Sequence, residues 1–290
     1  MAKIRATRGR RGARRTRGPG LLFLHVGLHK TGTTFFQTEV FPRWKGITYL
    51  RSLSVEAFLK ADLSQPCVAS REGFSAGVVA HQDEKLAFLR RLSAMFPDAR
   101  VLISFRDHAS YINAVYSQYL RYGGTLRFDE FFDIDGDRGY LKRADLTYRA
   151  YVDGIRSFWR QPPFVFLLSE LKEDKQRLFD DMARCFGVEA PRADAFAGGR
   201  RNVSLGRPQA EALRRLNAWS DVALHRDGST RPYRLLRRLR LDPPQLCQRW
   251  AELRPSPPIV APELARRINA WFEQDWAHVQ SCRRTRVTGD

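Results

Sequence analysis

Leu21-Leu22-Phe23-Leu24-His25-Val26-Gly27-Leu28-His29-Lys30-Thr31-Gly32-Thr33-Thr34 decides the fold of this 290-residue chain. Its apolar run predicts a buried strand over 21–26, and the Gly/Thr-rich turn behind it predicts a helix that starts near Thr33 and ends before Pro42. A strand leading into such a turn is a phosphate cradle, because backbone N–H groups and the positive end of a helix converge on one point. The run does not read as a secretory signal, since it is short and leads into Lys30 where a cleavage site needs small residues.

Outward from this point, short apolar runs predict strands at 47–50, 67–70, 100–105 and 164–168. Helical spacing predicts helices over 82–95, 109–121, 144–159 and 171–186, with Gly187 stopping the last. Strand and helix alternate, so the expected fold class is α/β, three layers with a central parallel sheet. Past residue 200 the strand signals vanish, and helical stretches near 208–220, 231–240 and 262–279 predict a helical C-terminal extension. The expected division is a disordered basic tail, 1–19, and one domain, 20–290, made of an α/β core (20–206) and a helical part (207–290).

The formal net charge is +19, and removing the eight Lys/Arg of the tail leaves about +11 on the rest. A basic body favours anionic partners: nucleotides, nucleic acid, acidic glycans or anionic lipid. Cys67, Cys185, Cys247 and Cys282 form no CxxC pair and no zinc pattern, so reduced thiols, a cytoplasmic location and no metal are expected. No stretch reaches the roughly 18 apolar residues of a membrane span.

The order of residues in the turn refines the cradle. A nucleoside-triphosphate loop reads GxxxxGK[ST], whereas here Lys30 precedes Gly32. That shift takes the ammonium off the helix start and into the turn, where it can sit beside a leaving oxygen. The segment from His25 to Thr34 resembles the donor-binding loop of the sulfotransferases that use 3'-phosphoadenosine 5'-phosphosulfate (PAPS), especially their bacterial carbohydrate-type members.

The resemblance implies a P-loop-like fold and a donor site lined by His29, Lys30, Thr31, Gly32, Thr33 and Thr34. Lys30 would meet the bridging oxygen of the phosphosulfate, and Gly32, Thr33 and Thr34 the 5'-phosphate. Arg106, closing the strand at 100–105, matches the family arginine for the 3'-phosphate. The serine expected eight residues later is Ala114 here, leaving Ser110 or Ser117 as substitutes. Gly198-Gly199-Arg200-Arg201-Asn202-Val203-Ser204 is similar to the late basic loop, with Arg200 and Arg201 toward the nucleotide.

For the base, the Thr-His pair of small-molecule members is absent, and Glu72 after the strand at 67–70 matches the glycan-type position, with Arg71 beside it and His108 in reserve. His25, among apolar neighbours at a strand end, reads as structural. The expected reaction moves a sulfuryl group from PAPS to a hydroxyl or amine. Arg71, Arg121 and Arg127 favour an anionic glycan or glycolipid as acceptor, and the tail is a candidate contact for an anionic surface. Two alternatives stay open: an ATP-Mg kinase with Asp107 as metal ligand, and a nucleic-acid-binding protein using the tail and the Arg-rich C-terminal helices.

Overall fold

The structure, a computed structural model, describes residues 21–196, 204–220, 238–239 and 241–285. Strand β1 (Leu22–His25) leads through the Gly/Thr turn into α1 (Thr33–Phe35), which continues as a π-helical segment, Phe36–Val40, and a 3-10 turn, Phe41–Arg43. Then come β2 (Thr48–Leu50), α2 (Val55–Leu59), β3 (Cys67–Ser70), α3 (Gln82–Met95), β4 (Arg100–Phe105) and α4 (His108–Arg121). These are followed by α5 (Phe128–Phe131), α6 (Tyr148–Phe158), β5 (Phe164–Leu167), α7 (Glu170–Glu173) and α8 (Lys175–Phe186). Helices α9 (Arg207–Ser220), α10 (Pro243–Leu253), α11 (Pro262–Trp271) and α12 (Glu273–Thr285) complete the described chain.

The five strands form one parallel sheet in the order β2-β3-β1-β4-β5, with His25 opposite both Ser70 and Leu102. Successive side chains point to opposite faces of a strand, so each strand feeds two cores. Phe23, Val68, Leu102, Phe164 and Phe166 pack with Phe36, Phe41, Trp44 and the apolar face of α8. Leu24, Ala69, Val101, Ile103 and Val165 pack on the other side with α3, α4 and α6, and Leu213, Ala251, Ile268 and Val279 carry that core into the C-terminal helices. The class is therefore α/β in three layers around an all-parallel sheet. Among the described residues no helix is long and apolar enough to cross a membrane.

The strand order sets where a ligand fits. After β3 the chain crosses over β1 to form β4, so connections leave in opposite directions beside β1 and open a crevice at the carboxyl ends of β3, β1 and β4.

Three expected helices are split, the 144–159 stretch at Thr147, whose extended backbone (φ −75, ψ 111) separates a 3-10 turn, Ala144–Leu146, from α6. Asp174, with φ −153 and ψ 73, breaks the 171–186 stretch and caps α8 by accepting the Arg177 N–H at 3.1 Å. The 262–279 stretch breaks at Phe272, whose ring stacks on His108 at 4.2 Å. Helix α10 was not expected, although Asp242 followed by Pro243 is a helix-start signal and the Asp242 side chain accepts the Gln245 N–H. The tail 1–19, the segment with Arg200 and Arg201, and nearly all of the stretch 231–240 lie outside the described residues.

The C-terminal helices are tied to the top of α4. Asp275 accepts the Tyr148 and Arg149 N–H groups at 2.8 Å each and pairs with His108 Nε2 at 3.0 Å. Asn269 Oδ1 accepts the Ala109 N–H at 3.0 Å, and Glu170, the first residue of α7, pairs with Arg283 at 3.1 Å.

Candidate functional site

The turn after β1 is built from two left-handed residues, Lys30 at φ 67 and Gly32 at φ 92. A side chain at Gly32 would lie 2.7 Å from Leu168 Cδ1, and one at Gly27 would lie 2.0 Å from Thr33 Oγ1. Each glycine is thus packed against a neighbouring side chain, which leaves no room for a Cβ and keeps the turn tight. Thr33 Oγ1 is buried in this cradle without a partner, a hydroxyl with an unmet bond.

Thr31 behaves differently from the expectation that it faces a ligand. Its hydroxyl donates to the Leu28 carbonyl at 2.6 Å and accepts from Ser104 at 2.7 Å, tying the turn to β4 from within. It shapes the loop rather than offering a free hydroxyl.

Arg106 follows β4 and reaches back to the same turn. Its Nη1 donates to the Lys30 carbonyl at 3.1 Å and its Nε to Ser110 Oγ at 2.9 Å. Ser110 also donates both its N–H and its hydroxyl to Asp107, which caps α4. The Asp107 carboxylate is thereby engaged at the helix start, unlike a metal ligand awaiting its ion, and among the described residues no group of His, Cys, Asp and Glu is arranged to hold a metal. Of the two serine substitutes, Ser110 lies against Arg106, whereas Ser117 is buried two turns on and donates to the Asn113 carbonyl at 2.8 Å.

Glu72 opens the 3-10 turn Glu72–Ser75 after β3, and Ser75 fastens that turn to the Gly27 carbonyl at 3.2 Å. The carboxylate thus meets the rim of the loop: Oε1 accepts from Thr34 at 3.3 Å, and Oε2 lies 3.9 Å from His29 Nε2. His108 is not brought here. It is 1% exposed, lies between the rings of Tyr148 and Phe272, and is bonded to Asp275, so a base role is corrected to an anchor for α12. His25 sits against Phe36, Phe41 and Phe166 with Nδ1 2.8 Å from Ser70 Oγ, and burial pushes its pKa down to about 3. It is a neutral core ring.

Charge crowds the turn. Burial, then Arg121 and Arg106, hold the Lys30 ammonium below its ordinary pKa, against an opposing pull from Glu72. Burial also lowers His29, where Glu72 pulls upward and Lys85 and Lys30 push down. Beside Glu72 an open cleft of about 660 Å³ is lined by Gln37, Thr38, Tyr49, Arg51, Arg71 and Phe74. Arg127, exposed before α5, is turned to Asp129 at 2.5 Å and does not line this cleft.

Sequence reasoning missed Arg51. It directly follows β2, the same strand-end placement that singled out Glu72 and Arg106.

No family model matches the chain, and no curated protein matches it significantly. Among solved structures, the crystal structure of a sulfotransferase from Alicyclobacillus acidocaldarius is similar at 18% identity and a TM-score of 0.45, over 73% of this chain and 98% of that one. A likeness of that degree carries no weight for function, which rests on the side chains described above.

Proposed function

We propose that this chain is a PAPS-dependent sulfotransferase that transfers a sulfuryl group to a hydroxyl or amine of an acceptor of glycan or glycolipid type. One observation carries the reading. Arg106 bridges the Lys30 carbonyl and Ser110, which joins a candidate 3'-phosphate group to the cradle that would take the 5'-phosphosulfate. A donor with two separated anionic groups needs such a pair of sites. The tight turn with left-handed Lys30 and Gly32 ahead of α1 and the unmet Thr33 hydroxyl fit a bound phosphate.

Roles follow from position. As the bond from sulfur to the bridging phosphate oxygen breaks, Lys30 stabilises the charge left on that oxygen. As the acceptor oxygen or nitrogen bonds to sulfur, Glu72 takes its proton. The cleft beside Glu72, with Arg51 and Arg71 on its wall, is the acceptor side. Arg200 and Arg201 close over the nucleotide in this reading, residues 20–290 act as one cytoplasmic domain, and the tail contacts an anionic surface. The engagement of Asp107 by Ser110 favours this reading over a magnesium-dependent kinase.

The test is incubation of the full chain with sulfur-labelled PAPS and a panel of glycans, glycolipids, phenols and peptides. Label transferred to a glycan or glycolipid supports the proposal. Label that stays on the donor across the panel, alongside phosphate transfer from ATP, overturns it.

A further inference from the structure

Arg106 stands at a seam of the fold. The Phe105 carbonyl before it is taken by the sheet, from the Leu168 N–H at 2.7 Å, and the Asp107 carbonyl after it by α4, from the Tyr111 N–H at 2.9 Å. Between the two, the Arg106 carbonyl accepts from the Tyr148 hydroxyl at 3.0 Å. The backbone at the root of the candidate 3'-phosphate arginine is therefore held by a side chain 42 residues on, at the start of α6.

Packing does not ask for that hydroxyl. The Tyr148 ring is fully buried, with the Phe105 and His108 rings 4.7 and 4.2 Å away, and phenylalanine would fill the same space. A phenol taken out of water costs stability unless its hydroxyl finds a partner, and here the partner is the backbone of Arg106.

Tyr148 is itself fixed from α12. The Asp275 carboxylate accepts the Tyr148 and Arg149 N–H groups at 2.8 Å each and pairs with His108 Nε2 at 3.0 Å. It thereby grips both the residue that holds the Arg106 carbonyl and a residue just beyond Arg106. From this seat the guanidinium makes the two bonds that aim it, Nη1 to the Lys30 carbonyl at 3.1 Å and Nε to Ser110 Oγ at 2.9 Å.

We infer that Tyr148 is a positioning residue of the donor site: its hydroxyl fixes the backbone of Arg106 so that the guanidinium spans the Lys30 turn and a 3'-phosphate, and Asp275 keeps Tyr148 in place. That the ligand is a 3'-phosphate rests on the sulfotransferase reading. The hold on Arg106 does not.

The experiment titrates adenosine 3',5'-bisphosphate and adenosine 5'-monophosphate, which lacks the 3'-phosphate, into the full chain and its variants. These are Tyr148→Phe, Asp275→Asn, Arg106→Met and the double variant of Tyr148→Phe with Arg106→Met. Loss of one hydrogen bond behind Arg106 is expected to weaken the bisphosphate about 3- to 10-fold in Tyr148→Phe and to leave the monophosphate unchanged. No further loss is expected when Tyr148→Phe is added to Arg106→Met. A merely structural hydroxyl would weaken both nucleotides alike or neither, and either result overturns the inference. Asp275→Asn should repeat the selective loss. Unfolding, no change, or equal loss of both nucleotides would confine Asp275 to folding and overturn its part. If the parent chain does not bind the bisphosphate, the sulfotransferase reading fails, and urea midpoints of the parent, the two single variants and the double variant decide the role of Tyr148. Non-additive losses keep it as the residue that positions Arg106, and additive losses overturn it.

Discussion

Arg106 Nη1 donates to the Lys30 carbonyl oxygen at 3.1 Å, so a residue at the end of β4 holds the backbone of the turn after β1. The same guanidinium donates to Ser110 through Nε, and only a fork of donors can make both bonds at once. Arg106→Lys keeps the charge and loses the bridge. Its affinity for adenosine 3',5'-bisphosphate, read by calorimetry, should fall about 10- to 100-fold. Unchanged affinity would remove Arg106 from the site.

Lys30 and Glu72 are separable by what each loses. Lys30→Ala should slow transfer by about 10²–10³-fold. The left-handed backbone at φ 67 costs alanine about 1–2 kcal/mol as it does lysine, so the fold should survive, as circular dichroism can check. Glu72→Gln keeps the shape and the Thr34 contact, and should abolish transfer while donor affinity stays unchanged. Rates equal to the parent in both variants would show that neither takes part.

His25 makes stability depend on acidity. Its ring resists protonation until about pH 3, whereas the unfolded chain protonates it near 6.5. Between those values the unfolded state binds the extra proton, so stability falls as pH drops through the window. His25→Phe should flatten that part of the profile, measured as urea midpoints from pH 4 to 7. An unchanged slope would mean the ring is not held neutral.

Gly32 has φ 92 and no room for a side chain, with Leu168 Cδ1 2.7 Å from where Cβ would lie. Gly32→Ala should cost at least about 1–2 kcal/mol from the left-handed backbone alone. The turn should also open enough to weaken bisphosphate binding. Paired thermal melts and titrations test this, and a variant matching the parent in both would contradict the close-packed turn.

Much of the fold could be read from local pattern, because period and punctuation carry it. The strands at 67–70 and 100–105 and the helix over 82–95 match the structure end for end, each having a clean apolar run or a helical stripe. What escaped depends on contacts distant in sequence. The break at Phe272 follows from its stacking on His108, and His108 itself read as a candidate base because its tie to Asp275 spans 167 residues. Lys30, Glu72, Arg106 and Ser110 are brought to one crevice, whereas Ser117 is drawn into the core by its bond to Asn113. Thr31 was legible as part of the loop, but its hydroxyl's partner, Ser104, lies on another strand.

The most direct measurement is an equilibrium titration of the full chain with PAPS, adenosine 3',5'-bisphosphate and ATP in the presence of a metal chelator. Saturable binding of the first two without metal is predicted, with ATP at least about tenfold weaker because it lacks a 3'-phosphate for Arg106. Binding of ATP only on addition of magnesium, with no binding of the bisphosphate, would contradict it.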